Sequence, residues 1–344
     1  MRIVLDAMGG DLAPQAPVAG AVEAARRYGL EVLLVGPEDV VREELGRHDT
    51  AGLSLPVVHA PEVIGMEEHA VQAVRRKSQS SLVVGMRLVR DGQAQALVSA
   101  GHSGAIMAAA TLILGRLPGV ERPALATPFP SRKGFFIFLD AGANTDCRPE
   151  YLLQFARLGA VYAERVYGIP RPRVALLSNG EEESKGDRLV REAHALLRRA
   201  SDLNFLGNVE PKDMLAGAAD VVVADGFVGN LVMKSAEAVA EMLLGTLREE
   251  LTRSFRTRLP ALFLRSAFRR VRARLDYSEY GGALLLGLRG IAITAHGRSS
   301  PRAIGNAIRV AREAVLRQAV EAMAGALKEE VDDGRETEPG KDSA

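Results

Sequence analysis

Six short glycine-containing segments hold most of the side chains in this sequence that could bind an anion. Each follows an apolar run and combines glycine with Asp, Asn, Ser or His. Glycine lets the backbone approach a ligand closely, and successive N–H groups ahead of a helix N-terminus form an anion site. Glycine is also an ordinary turn residue, so the prediction rests on the repetition rather than on one segment. The segments are Asp6–Asp11 (DAMGGD), Ser99–Gly104 (SAGHSG), Asp140–Asn144 (DAGAN), Ser178–Glu181 (SNGE), Asp225–Asn230 (DGFVGN) and His296–Ser300 (HGRSS).

Two residues in or near these segments allow both a functional and a structural interpretation. Lys185 is one of seven lysines in the chain and follows the acidic run Glu181–Glu183. It could attract an anion, or it could simply pair with those acids. Asn230 could donate a hydrogen bond to a ligand, or it could serve as the N-cap of the helix that follows. The residues alone leave both alternatives open.

Other reactive side chains are weaker candidates. Asp6 and Asp11 could bind a metal or act as a base, but such residues more often order a glycine turn, which we favour. His296 could be a hydrogen-bond donor, a base or a structural residue. Cys147 is the single cysteine, and a nucleophilic cysteine needs an activating base. Since nothing near Cys147 in the sequence supplies one, we do not expect a covalent mechanism.

Familiar nucleotide-binding and hydrolase motifs are absent. No predicted strand ends in GxGxxG. Gly229–Ser235 resembles a P-loop but lacks the glycine before Lys234, and Gly101–Gly104 is followed by Ala105 where a nucleophile elbow needs glycine. The histidines are scattered, so we predict no metal site.

The elements that must position these segments alternate between strands and helices. The apolar runs are continuous, which is typical of strands buried on both faces of a parallel sheet covered by helices. Ligands bind beyond the carboxyl ends of such strands, so we expect all six segments along one edge. Predicted strands are Ile3–Ala7, Val32–Val35, Pro56–His59, Ala96–Ser99, Phe135–Asp140, Val174–Ser178, Leu203–Leu206, Val221–Asp225 and Ile291–Ala295. Predicted helices are Ala16–Arg27, Ser81–Arg90, Ile106–Arg116, Tyr151–Tyr167, Arg188–Ala200, Leu231–Leu251 and Ala303–Ala326.

One segment interrupts this alternation. Leu251–Leu275 carries eight arginines and no acidic residue, and Pro260 divides it. We predict two helices that project from the main body as a hairpin. The last stretch, 328–344, is charged and is predicted to be disordered.

Composition limits the function further. The chain has 344 residues with 44 basic and 43 acidic side chains, so no global field favours nucleic acid. We see no signal peptide and no apolar run long enough to span a bilayer. We therefore expect a cytoplasmic protein that is at most peripheral at the inner face of the cell membrane.

Taken together, the segments resemble the PlsX family of phosphate acyltransferases. The resemblance runs in order over roughly residues 1–325, and DAMGGD and DGFVGN are its specific motifs. The family usually has asparagine and threonine where this chain has His102 and Ser103, and glycine where it has Pro211. The matching segments are Asp6–Asp11 with Ala13 and Pro14, Asp140–Asn144, Ser178–Glu181 with Lys185 and Gly186, Asp225–Asn230, Tyr280–Ala283 and His296 with Gly297.

The resemblance implies a three-layer α/β/α sandwich with a mainly parallel sheet, related to phosphotransacetylases. We expect one domain over 1–327, with the arm 251–275, working as a homodimer without metal or organic cofactor. The implied reaction moves a long-chain fatty acyl group from acyl carrier protein (ACP) to inorganic phosphate. Its product, an acyl phosphate, would feed phospholipid synthesis through a membrane glycerol-phosphate acyltransferase.

The resemblance also implies site residues. Lys185 and Asn230 are expected to be catalytic, Lys185 by attracting phosphate or polarising the carbonyl and Asn230 by donating to an oxyanion. Independently of the resemblance, the basic and amphipathic character of the arm leads us to expect that Leu262, Phe263 and Phe268 contact the partner subunit or an anionic membrane. Residues expected to bind phosphate or the rest of the substrate are Asp6, Gly9, Gly10, Gly101, Ser103, Gly104, Asn144, Asn179, Asp225, Gly229 and His296.

Three alternatives remain at this point. A phosphotransacetylase-like enzyme could use acyl-CoA, since the motifs do not reveal the carrier. A decarboxylating dehydrogenase would need a nicotinamide site and a carboxylate cluster for a divalent metal, and the sequence offers no convincing cluster. A silent membrane adaptor would have no use for the Lys185 and Asn230 segments.

Overall fold

A computed structural model describes residues 1–253, 266–268, 270–271 and 281–336, with side chains up to residue 327. Its strands are β1 (Arg2–Asp6), β2 (Glu31–Gly36), β3 (Val57–His59), β4 (Ala96–Ser99), β5 (Ala124–Ser131), β6 (Gly134–Leu139), β7 (Arg173–Leu177), β8 (Asn204–Val209), β9 (Val221–Val223), β10 (Ala283–Leu286) and β11 (Ile291–Thr294). Its helices are α1 (Gln15–Tyr28), α2 (Glu38–Leu45), α3 (Ala70–Arg76), α4 (Ser81–Arg90), α5 (Ser103–Ala109), α6 (Pro149–Arg165), α7 (Arg188–Arg199), α8 (Pro211–Ala216), α9 (Gly226–Thr252), α10 (Pro301–Leu316) and α11 (Ala319–Glu336).

The described strands form one sheet in the order β3-β2-β1-β4-β11-β10-β5-β6-β9-β7-β8. The strands from β3 to β11 are parallel to one another, and so are β6, β9, β7 and β8. Between the two sets, β10 is antiparallel to both its neighbours, and β5 is antiparallel to β6. The first residues of β5 pair with β10 and its later residues pair with β6.

This reversal of strand direction separates the glycine segments. Following the pairing from β11 through β10 and β5 to β6, the two parallel sets run in opposite directions. The segments after β1, β4 and β11 therefore lie at one edge, and those after β6, β7 and β9 lie at the other. The prediction that all six share one edge is wrong, because the sequence analysis did not identify β5 and β10, the strands that reverse the direction.

Apolar cores cover both faces of the sheet. In β1, Ile3 and Leu5 pack into one core, while Val4 packs into the other. The first core contains α1, α6, α7 and α10, and the opposite face is covered by α4 and α5 near β1 and by the start of α9 near β6. The predicted three-layer α/β/α sandwich is confirmed.

Several predicted elements differ in detail. The predicted helix Ala303–Ala326 is two helices, because Gln318 adopts a left-handed φ of 51° between α10 and α11. Helix α5 continues as a π-helical turn, Ala110–Leu114. Helix α11 extends to Glu336, beyond the predicted domain end at residue 327. In the arm, Leu262 and Phe263 lie outside the described residues, whereas Phe268 is helical and half-buried.

A close contact between α1 and α10 gives a test of this packing. A Cβ added at Gly20 would lie 2.6 Å from Ile304 Cβ and 2.7 Å from the Pro301 carbonyl oxygen. Since backbone cannot move aside easily, Gly20→Ala should lower the free energy of unfolding by about 1–3 kcal/mol. Gly325 in α11 has no heavy atom within 4 Å of such a Cβ, so Gly325→Ala should be neutral or stabilising by up to about 1 kcal/mol. Urea denaturation measures both, and equal effects would contradict the packing.

Candidate active site

The carboxyl ends of β6, β9 and β7 bring three of the predicted segments together. Leu139 lies beside Val223, and Val223 beside Leu176. Two residues further on, the chain reaches Ala141, Asp225 and Ser178 on neighbouring strands, which are about 4.8 Å apart. Asp140–Asn144, the start of α9 and the loop carrying Lys185 therefore share one edge, which we call the Lys185 edge.

A buried carboxylate holds the first of these segments. Asp140 is fully buried, and its Oδ1 accepts hydrogen bonds from the backbone N–H groups of Leu125, Gly142 and Ala143. Its Oδ2 accepts from the backbone and side-chain nitrogens of Asn144, at 2.7 and 2.8 Å. Burial raises the pKa of Asp140, and these hydrogen bonds oppose the rise. The carboxylate thus fixes the turn that faces α9.

The start of α9 packs directly on this turn. A Cβ at Gly229 would lie 1.9 Å from the Asp140 carbonyl oxygen, and a Cβ at Gly226 would lie 2.6 Å from that of Asn144. Asp225 is the N-cap of α9, because its Oδ1 accepts from Phe227 N and Val228 N. The structural alternative for Asn230, a helix N-cap, is therefore wrong.

Asn230 lies one turn into α9, against the Asp140–Asn144 turn. A Cβ added at Gly142, whose φ is +127°, would lie 3.2 Å from Asn230 Nδ2. Among the described residues, the half-buried Asn230 amide has no hydrogen-bond partner. It can donate to a ligand at the Lys185 edge without breaking an existing hydrogen bond. By contrast, the Asn144 side-chain nitrogen donates to Asp140 and to the Pro123 carbonyl.

Two of the three acids in the run Glu181–Glu183 are paired with other cations. Glu181 pairs with Lys212 at 3.3 Å, and Glu183 pairs with Arg198. Within the described part of the chain, the exposed Lys185 ammonium has no ion pair. The alternative in which Lys185 only neutralises Glu181–Glu183 is thus not observed.

The loop that carries Lys185 is closely packed on itself. Lys185 Cγ covers Gly180, where an added Cβ would lie 2.6 Å from it. Asn179 Oδ1 accepts from Gly186 N at 2.9 Å. Ser178, at the base of the loop, is 92% buried, and its Oγ is the one buried side-chain polar atom in the described residues without a hydrogen-bond partner.

Cys147 lies beside the same edge but is a poor nucleophile. Its Sγ donates to the Asn144 carbonyl at 3.3 Å. Burial, with further contributions from Asp140, Asp225 and Asp146, raises the pKa of Cys147 to about 12. Since the thiolate is the reactive form, this environment supports the expectation of a mechanism without an acyl-cysteine.

The remaining predicted residues form a second group at the opposite edge. Asp6 is buried, and its carboxylate accepts from Ser99 Oγ at 2.7 Å and Met8 N at 3.1 Å. Burial raises the pKa of Asp6, and hydrogen bonds from Ser81 and Ser99 oppose the rise. Asp6 therefore orders its own turn, as we favoured.

Three glycine segments interlock around Asp6. A Cβ at Gly9 would lie 2.8 Å from Gly101 N, and one at Gly10 would lie 2.9 Å from the Gly297 carbonyl oxygen. Ser103 and Gly104 are exposed in the first turn of α5. His102 is the N-cap of that helix through Nδ1. The first turn of α5 is thus capped by a side chain.

His296 follows β11 in this second group. Its Nδ1 accepts from Arg298 N at 3.2 Å, so the ring proton resides on Nε2 when the imidazole is neutral. Partial desolvation, followed by the charge of Arg298, lowers the pKa of His296. The charges of Lys234 and Glu241 also act on His296, so the middle of α9 passes near this second group.

Two further properties concern the described residues as a whole. They contain no group of three or more His, Cys, Asp or Glu side chains placed to hold a metal ion. None of their helices is long and apolar enough to cross a membrane.

Three residues that form the site, Asp140, Gly142 and Gly226, were not predicted from the sequence. All three belong to predicted segments, but only Asn144, Asp225, Gly229 and Asn230 were selected from them. The sequence did contain a signal for Asp140. An apolar run that ends in Asp and is followed at once by small residues is typical of a buried carboxylate that orders a turn.

Comparisons with known proteins agree with this architecture. Residues 1–322 match the model of a family described as "Fatty acid synthesis protein". The chain is 51% identical over 360 residues to a phosphate acyltransferase of Herpetosiphon aurantiacus, covering 95% of this chain and 98% of that protein. It is 55% identical over 313 residues to a phosphate acyltransferase of Myxococcus xanthus, covering 90% and 88% of the two chains.

Solved structures share the fold. A phosphotransacetylase from Streptococcus pyogenes superposes with a TM-score of 0.61 at 20% identity, covering 93% of this chain and 94% of the other. The EutD phosphotransacetylase from Staphylococcus aureus gives 0.57 at 18% identity, with 95% and 94% coverage. The predicted relation to the phosphotransacetylase fold is confirmed.

The environment of Cys147 predicts its reactivity. At pH 8, a thiol with a pKa of about 12 should alkylate about a thousandfold more slowly than the same cysteine in the unfolded chain, because each pKa unit changes the thiolate fraction about tenfold. The native rate should rise about tenfold for each pH unit between 8 and 10. Mass spectrometry after iodoacetamide treatment measures this, with guanidinium-unfolded protein as the control. Equal rates in both states would show that the thiol is accessible and ordinary.

Proposed function

The chain belongs to the PlsX family of phosphate acyltransferases, and we propose that it transfers a long-chain fatty acyl group from ACP to inorganic phosphate. One observation carries the assignment of the site. At the Lys185 edge, Lys185 and Asn230 have side-chain donors without partners among the described residues, while the Asn144 amide nitrogen is hydrogen-bonded and Glu181 and Glu183 are paired with other cations.

The proposed reaction suits these two donors. A phosphate oxygen attacks the thioester carbonyl carbon, the C–S bond breaks, and the carrier leaves as a thiol with the proton of HPO4²⁻. Phosphate is already an anionic nucleophile near neutral pH, so the main tasks are to hold it and to stabilise the oxyanion of the tetrahedral intermediate. The Lys185 ammonium would attract phosphate or polarise the carbonyl, and the Asn230 amide would donate to the oxyanion.

The remaining partners are part of the same proposal. The acyl phosphate would pass to a membrane glycerol-phosphate acyltransferase for phospholipid synthesis, so contact with the inner face of the membrane would be useful. A homodimer is supported by the apolar surface of α9, where Phe227, Leu231, Met242 and Leu243 are each more than half exposed. Apolar surface of this kind is typical of a protein or membrane contact.

The direct test is incubation of the purified protein with long-chain acyl-ACP and phosphate, followed by trapping with hydroxylamine. We expect phosphate-dependent formation of the hydroxamate, which reports an acyl phosphate. Acyl-CoA in a parallel reaction tests the alternative donor. No hydroxamate with either donor, together with reduction of NAD by a hydroxy acid, would overturn the proposal.

Two variants test the site. Lys185→Ala and Asn230→Ala should each lower kcat by about 100- to 1000-fold, as loss of a single oxyanion donor typically does, while far-UV circular dichroism stays unchanged. Lys212 is the matched control, because it lies near the same loop but is paired with Glu181 and Glu210. Lys212→Ala should keep turnover within a few-fold of wild type. Near-normal turnover of Lys185→Ala or Asn230→Ala would remove that residue from the mechanism.

The arm 251–275 is proposed to contact an anionic membrane near Pro260, with its base supporting the dimer. A surface arginine adds about 1 kcal/mol of attraction near an anionic leaflet, and apolar side chains around Pro260 could insert at the headgroups. Wild type should co-sediment with anionic vesicles at low salt, and Leu262→Glu/Phe263→Glu should not. Leu206→Glu, at an exposed leucine of β8, is the control. Light scattering checks that the dimer survives, and equal binding of the arm variant would exclude this contact.

A further inference from the structure

We propose that His194 and Asn208 are positioning residues for Lys185, acting through the backbone of the loop that carries it. This inference deepens the proposed function and rests on it for the role of Lys185. His194 lies in α7 and Asn208 in β8, so both lie outside the loop that carries Lys185. Both are buried, with only 6% of each residue exposed.

The Glu182 carbonyl is the point where the two residues act. It accepts from Lys185 N at 3.0 Å, which closes the turn from Glu182 to Lys185. The same oxygen accepts from Asn208 Nδ2 at 2.9 Å. The turn is therefore tied to β8, a strand of the rigid sheet, and the backbone of Lys185 is tied to the turn.

The Glu182 carbonyl determines which way the Asn208 amide points, and the amide in turn determines which His194 nitrogen carries a proton. A carbonyl oxygen can only accept, so the Asn208 nitrogen must face Glu182 and its Oδ1 must face His194 Nδ1, which lies 2.9 Å away. Nδ1 must then carry a proton and donate it. The His194 ring is itself held by an edge-to-face contact with Phe205, with centroids 5.3 Å apart. The contacts therefore link the His194 ring, through the Asn208 amide, to the turn from Glu182 to Lys185.

Packing alone does not explain why the polar side chains of His194 and Asn208 are buried. A buried amide and imidazole are costly unless their hydrogen bonds are made, and two apolar residues would fill the same space at lower cost. Here the hydrogen bonds fix a loop that has few apolar contacts of its own, since residues 181–185 are all exposed. A misplacement of about 1 Å can cost a catalytic group about a hundredfold in rate, so an exposed lysine gains from such an anchor.

Asn208→Asp is the most informative change, because it keeps an acceptor for His194 and replaces the donor to Glu182 with a carboxylate oxygen, which cannot bond to that carbonyl. We expect kcat to fall about 10- to 100-fold, with little change in KM for acyl-ACP. Asn204→Ala is the control: Asn204 lies on the same strand and donates to the Arg171 carbonyl at the opposite end. Its kcat should equal that of wild type.

A double-mutant cycle separates positioning from general stability. In a Lys185→Ala background, Asn208→Asp should cause less than a twofold further loss, because the group that it positions is gone. A similar loss of kcat in both backgrounds would show that Asn208 does not act through Lys185, and would overturn the proposal. If Asn208→Asp does not fold, His194→Gln, which keeps a donor, should retain more activity than His194→Leu; equal activities would also overturn it.

Hydrogen exchange tests the same inference without turnover. In Asn208→Asp, a peptide spanning residues 181–187 should exchange at least tenfold faster than in wild type, while Asn204→Ala leaves it unchanged. Unchanged exchange in Asn208→Asp would overturn the anchoring even if the enzyme is active. Faster exchange in a protein that forms no acyl phosphate would uphold the anchoring and contradict only the proposed function.

Discussion

The candidate site depends on the burial of one carboxylate, that of Asp140, at the end of β6. A buried charge is costly unless it is fully hydrogen-bonded, and five N–H donors from Leu125, Gly142, Ala143 and Asn144 meet this requirement. Those donors can converge only if the chain turns tightly around the carboxylate. The turn is therefore a rigid surface on which α9 packs.

Helix α9 packs on the Asp140–Asn144 turn through the backbone of two glycines rather than through side chains. Gly226 and Gly229 are one helical turn apart, and a Cβ at either would overlap the turn. The next residue, Asn230, is therefore held at a fixed distance from Gly142 with its amide uncommitted. On the other side of β9, the loop carrying Lys185 has no such buried carboxylate and is tied down instead by Asn208. The two predicted catalytic residues are thus fixed by different means at the same edge.

The three layers of the fold were predicted correctly from the sequence. The distribution of the six glycine segments between the two edges of the sheet was not. Continuous apolar runs correctly indicated strands buried on both faces, as in β1 and β9. Strand β5 was not predicted because Pro128 and Pro130 interrupt it, and the apolar run of β10, Ala283–Leu286, was not assigned to a strand. Because these two strands were not predicted, the reversal of strand direction was not predicted either. The partners of Glu181 and Glu183 were also unpredictable, since Lys212 and Arg198 reach them only through the packing of β7 against β8 and α7.

The unusual setting of the single thiol has a practical consequence for spectroscopy. Cysteine-directed dyes and spin labels normally require every native cysteine to be removed first. Here the only one, Cys147, is half-buried, and desolvation with three nearby carboxylates raises its pKa to about 12, so at neutral pH it should be labelled only slowly. A cysteine introduced at an exposed position, such as Lys212 beside the Lys185 loop, would carry the probe alone. Distances and motions at the site then become measurable in a chain whose native thiol stays in place.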